Sequence, residues 1–163
     1  MSIKCLISNP GSTSTKIGLF EDEREIFLQT VGHEAEELAK FSEISEQLPY
    51  RLDKIRSLLR ERGISLEGTD AFVGRGGGLL PVEGGTYVVD ALLLRHAREG
   101  ANGVRHPAQL GPQIAAQLAR QYGGQAFVVN PPDVDELQDV ARMTGIRGVY
   151  RTVHLHALNL KET

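Results

Sequence analysis

No second cysteine accompanies Cys5, no apolar run reaches the ~18 residues that cross a bilayer, and neither sign of charge dominates. Each absence closes off a class. A lone cysteine excludes an internal disulfide and fits a reducing compartment, with Cys5 expected as a buried, inert thiol in the apolar run Ile3 to Ile7. That run is too short for a signal-peptide core and stops at Ser8 and Asn9, so a cytoplasmic protein with no membrane partner is expected. With 18 basic against 21 acidic residues the net charge is -3, which gives no long-range attraction for polyanions and argues against a nucleic-acid partner. No internal repeat, low-complexity tract or linker divides the 163 residues, about one domain of chain.

What is present reads as one continuous α/β pattern. Lys4 to Ser8 and Lys16 to Phe20 are short apolar segments either side of a polar loop, and Glu21-Asp22-Glu23-Arg24 turns the chain into a third strand, Glu25 to Thr30. From Ile44 to Arg62, Leu48, Leu52, Ile55 and Leu59 fall on one face of a helix that stops at Gly63, with Pro49 a candidate breaker of its first turn. Ala71 to Gly74 and Thr86 to Val89 read as strands, and Gln109 to Tyr122 as a helix with Leu110, Ile114 and Leu118 on one side, ended by Gly123-Gly124. The segment AFVVN is a further strand. In the following PPDVDEL, Asp133 and Glu136 have the spacing of a helix N-cap and its capping-box partner.

Two loops carry candidate chemistry. NPGSTSTK, residues 9–16, is not the nucleotide P-loop, because it lacks that motif's second glycine and leads into a strand. A tight turn between strands can still hold phosphate, with backbone N–H groups exposed at Gly11, hydroxyls from Ser12 and Ser14 and a cation from Lys16. The same composition equally suits a solvated hairpin rich in turn formers. GRGGGLLPVEGG, residues 74–85, sets Arg75 among glycines that permit close backbone approach. Its planar fork suits carboxylate or phosphoryl oxygens, and Leu79, Leu80 and Val82 could line an apolar pocket, although a plain glycine-rich turn also explains the stretch.

In order and spacing, NPGSTSTKIGLFEDE, FVGRGGGLLPVEGGTYVVD, HPAQLG, FVVNPPDVDELQDVAR and HLHALNLK resemble the butyrate kinases, and the match covers nearly the whole chain. Those proteins fall in the acetokinase group of the acetate and sugar kinase, chaperone and actin superfamily. The resemblance implies a ribonuclease-H-like α/β domain with a five-stranded mixed sheet opened by a β-meander, helices on both faces, and residues 1–163 as an amino-terminal domain. It implies reversible phosphoryl transfer from ATP to a small-molecule carboxylate, giving butanoyl phosphate and ADP with Mg²⁺, and a homo-oligomer for the full-length form. The phosphate-facing loop falls on Asn9, Ser12, Ser14 and Lys16. Arg75 matches the arginine that holds the acid and the phosphoryl group in related acetate kinases, His106 a histidine flanking that site, and His156 the histidine that steadies the transferring phosphoryl. A zinc reading of His154 and His156 lacks a third ligand nearby, and His154 reads as structural.

A carboxylate is already ionised at pH 7 and needs no general base to attack the γ-phosphoryl group, so positioning and charge neutralisation by Mg²⁺, Lys16 and Arg75 carry the chemistry. The wall from Leu79 to Val82 would receive the alkyl tail, at about 1–3 kcal/mol of discrimination per methylene. Two departures qualify the match. Butyrate kinases read VDP where this chain has Val129-Asn130-Pro131, so the carboxylate expected near Mg²⁺ is an amide, with Asp133 and Asp135 the candidate substitutes. The chain also stops where the family's carboxy-terminal half, with its adenosine pocket, should begin. It reads as an amino-terminal domain cut from a longer protein or as a shortened gene product. The alternative is a non-catalytic half-domain that binds a phosphate or carboxylate, or docks onto a partner chain, for which an exposed apolar face would be the sign.

Overall fold

A computed structural model describes residues 2–152. Three antiparallel strands open it, β1 (Lys4–Pro10), β2 (Ser14–Glu21) and β3 (Arg24–Gly32). The short helix α1 (Ala35–Leu38) and a 3₁₀ turn (Ile44–Glu46) lead into α2 (Gln47–Glu61), followed by β4 (Ala71–Gly74), β5 (Thr86–Val88) and α3 (Ala91–Glu99). A second 3₁₀ turn (Pro107–Gln109) feeds α4 (Leu110–Tyr122), then β6 (Gln125–Val129) and the short α5 (Asp139–Arg142). Pro49 sits in the first turn of α2 without breaking it, because an N–H at that position has no intrahelical acceptor to lose.

The strands form one mixed sheet in the order β3-β2-β1-β4-β6-β5, with β1, β4 and β6 parallel. Six strands stand where the resemblance implies five. The additional one is the three-residue edge strand β5, which runs antiparallel to β6. Strand alternation sorts the side chains: Leu6 and Ser8 of β1, Ile17 and Leu19 of β2, Phe72 of β4 and Ala126 and Val128 of β6 face one side and are buried. Leu52, Ile55 and Leu59 of α2 and Leu110, Ile114 and Leu118 of α4 complete that core. Helix α3 stacks on α4, with Ala97 fully buried and Leu94 against the same core.

Helices were expected on both faces, yet α2, α3 and α4 all lie on this one. The opposite face carries Ile7, Leu28, Val88 and Val129 at 39%, 49%, 50% and 40% exposure. A second correction concerns Asp133, which caps no helix. Val82 N–H donates to Asp133 O and Asp135 N–H to Val82 O, so Val134 is drawn into a parallel bridge with Val82. An extended backbone cannot also be the first turn of a helix, and α5 starts six residues later. Glu136 accordingly has no capping role, and its carboxylate lies against Gly84. Cys5 is half-buried on the open face, and burial pushes its thiol pKa up, in keeping with an unreactive group.

Candidate functional site

The carboxyl ends of the three parallel strands converge on a cavity of about 480 Å³. Asn9, Pro10 and Gly11 come from the end of β1, Arg75, Gly77 and Gly78 from the loop after β4, and Pro132 and Asp133 from the segment after β6. Asn102, Val104, His106 and Ala108, between α3 and α4, close the remaining side. Ligands of open α/β sheets sit at such strand ends because the loops there diverge and leave room.

Glycine is required where α4 meets the sheet. A Cβ on Gly74 would stand 2.1 Å from Gly111 O, and one on Gly111 would stand 2.0 Å from Arg75 O. That contact seats the amino end of α4 against β4 and Arg75, and Arg75 N–H donates to Ser8 O at 2.9 Å. His106 is fixed as the cap of the preceding 3₁₀ turn: its Nδ1 accepts from Ala108 N–H at 3.1 Å, and its own N–H donates to Gln109 Oε1 at 2.9 Å. Asn102 Nδ2 donates to Asp133 Oδ1 at 2.6 Å, tying the α3–α4 loop to the segment after β6.

Of the residues singled out in the sequence, Asn9, Arg75 and His106 line this cavity. Asn9 and Lys16 are cross-strand partners on the open face of the sheet, with Lys16 exposed. Ser12 and Ser14 belong to the β1–β2 turn next to Gly11, whose own N–H is engaged by Ser14 O at 2.7 Å. The N–H groups of Ser12 and Thr13 have no acceptor among the described residues. Leu79 is buried in its loop, Leu80 is exposed and Val82 is bridged to Val134. None of the three lines the cavity, whose apolar lining is Pro10, Val104, Ala108 and Pro132. His154 and His156 lie outside the described residues.

The carboxylates are distributed differently from the sequence expectation. Asn130 adopts a left-handed backbone, φ 43°, and its Oδ1 accepts from Gly85 N–H at 2.8 Å. Asp135 pairs with Arg142 at 2.7 Å, and that hydrogen bond holds its carboxyl below the usual range. Neither lines the cavity. Asp133 does, at 5% exposure, and among the described residues no three His, Cys, Asp or Glu cluster as a protein-built metal site. Asn102 and Val104 escaped the sequence reading altogether; their signal was the Gly100 to Gly103 loop, with both glycines at positive φ.

No protein-family description matches the chain. It is 43% identical over 161 residues to butyrate kinase 2 of Clostridium acetobutylicum, covering 99% of this chain and 45% of that protein. It is 44% identical over 158 residues to a probable butyrate kinase 2 of Caldanaerobacter subterraneus subsp. tengcongensis, covering 97% and 44%. Among solved structures, acetate kinase from Entamoeba histolytica aligns with a TM-score of 0.48 at 16% identity over 89% of this chain and 39% of that one. The chain therefore spans less than half the length of the curated relatives it matches. It is a homologue of the butyrate kinases, related to them over nearly all of its own length.

Proposed function

We propose that this chain supplies the carboxylate- and phosphoryl-binding half of a butyrate kinase-type phosphotransferase, with ATP and a short-chain carboxylate as substrates. The observation that carries the reading is the convergence of Asn9, Arg75 and His106 on one cavity at the carboxyl ends of β1, β4 and β6. The acid needs no deprotonation at neutral pH: its oxygen forms a bond to the γ-phosphorus while the bond from that phosphorus to the bridging oxygen of ADP breaks. Arg75 offsets charge on the moving phosphoryl group and holds the acid in line. The alkyl tail meets Pro10, Val104, Ala108 and Pro132 in place of the Leu79–Val82 wall.

Mg²⁺ bound with nucleotide needs only one or two carboxylates beside phosphate oxygens. The cavity offers one, Asp133, so Asp133 is its proposed contact ahead of Asn130 and Asp135. When bound, the ion would neutralise phosphoryl oxygens. Replacing the matching portion of the Clostridium acetobutylicum enzyme with this chain tests the function. The chimera is expected to make butanoyl phosphate from ATP and butyrate, trapped as the hydroxamate; a folded chimera with no turnover above a no-protein control overturns it.

The exposed apolar sheet face favours a second reading, a half-domain that docks onto a partner chain. Parallel strands are ordinarily covered on both sides, and here Ile7 and Val129 are left open to solvent.

A further inference from the structure

Behind the β1–β2 turn lies a fully buried arginine that the reaction itself does not use. Arg51, on the first half of α2, is 0% exposed. Its Nη1 donates to Gly11 O at 2.9 Å, Ser14 O at 3.2 Å and Thr15 Oγ1 at 3.1 Å, and its Nη2 donates to Ser12 O at 3.2 Å. Gln47 Oε1, one helical turn earlier, accepts from Nε at 3.1 Å and Nη2 at 3.0 Å and fixes the plane of the fork. The remaining carbonyl of the turn, Thr13 O, accepts from His33 N–H at 2.8 Å.

The carbonyls of residues 11–14 are thus all engaged, while the N–H groups of Ser12 and Thr13 have no acceptor among the described residues. A turn whose acceptors are tied back and whose unpaired backbone groups are donors is polarised toward an anion. Arg51 also has no acidic partner among the described residues, and a buried cation without a counter-ion is costly. Burial lowers its pKa to about 10, which leaves it charged at neutral pH.

We infer that Arg51 is a positioning residue: it holds the β1–β2 turn with its donors presented and places a buried positive charge behind the phosphoryl group bound there. This rests on the reading of that turn as a phosphate holder. A purely architectural Arg51, tying α2 to the sheet, would alter stability alone.

The test titrates the ¹⁵N-labelled chain with inorganic phosphate and follows the Ser12 and Thr13 amide resonances. In the wild type both are expected to shift saturably. Arg51→Lys keeps the charge but loses the fork, and should weaken phosphate binding roughly tenfold while resonances of the core, such as Phe72 and Ile114, stay in place. Gln47→Met, which frees the fork without removing the charge, should weaken it severalfold and serves should Arg51→Lys fail to fold. If wild-type Ser12 and Thr13 do not respond, the phosphate reading of the turn falls and the inference with it. If they respond and a folded variant binds phosphate as tightly as wild type, the turn survives and the role of Arg51 is overturned.

Discussion

His33 makes the cluster behind the β1–β2 turn sensitive to acid. It is 5% exposed, and its Nε2 lies 2.8 Å from Thr15 Oγ1, the oxygen that also accepts from Arg51. Burial first, then the cations of Arg51 and Lys54, lower its pKa from 6.5 to about 4. The unfolded chain takes up this proton near pH 6.5 and the folded chain only near pH 4. The contribution to stability is therefore complete above pH 6.5 and is lost as pH falls toward 4. Urea unfolding should show roughly 1 kcal/mol lost by pH 5.5 and more than 2 kcal/mol by pH 4.5, and His33→Asn should flatten that limb. Single residues also show where the sequence was readable. Arg75 stood out as the one arginine of the glycine-rich stretch 74–85, and it lines the cavity. Asp133 was misread because a D-x-x-E spacing records only local capping potential, whereas its backbone is paired with Val82, some fifty positions away.

At the scale of elements, strands β1 to β3 were legible as short apolar segments parted by polar turns, α2 by Leu52, Ile55 and Leu59 at helical spacing, and α4 by Leu110, Ile114 and Leu118, although α4 is buried over most of its surface. Helix α3 was not legible. Its apolar residues run consecutively as Ala91-Leu92-Leu93-Leu94, and its apolar face spans too few turns to show as a repeat; its further signals are Asp90, whose Oδ1 accepts from Leu93 N–H, and the left-handed Gly100. The fit of α4 against β4 is likewise invisible in a periodicity, since it depends on two glycines meeting across elements. Gly111→Ala is expected to cost about 3 kcal/mol in chemical denaturation, because the clashing atoms are backbone and cannot swing aside. Gly32→Ala, where a Cβ would meet nothing within 4 Å, should stay within about 0.5 kcal/mol of wild type. Equal losses at the two positions would contradict the close approach.

For the molecule as a whole, the face that helices leave uncovered decides how the chain behaves alone. Ile7→Thr with Val129→Thr keeps β-branched residues on the strands and removes apolar surface from solvent. The pair should reduce self-association in sedimentation while changing stability by less than about 1 kcal/mol; a large loss would show that the face is already buried. The chain spans less than half of its relatives, so on its own it is expected to give no hydroxamate from ATP, butyrate and hydroxylamine above the no-protein control. Turnover abolished by Lys16→Ala would show instead that these residues suffice. The most direct measurement is steady-state kinetics of Arg75→Lys in the active chimera, beside a thermal melt. If the guanidinium acts on the moving phosphoryl group, kcat should fall roughly 10²–10³-fold with a smaller change in KM for butyrate. Values of kcat and KM both within a few-fold of the parent chimera, in a protein that still folds, would remove Arg75 from the site and contradict the proposed function at its centre.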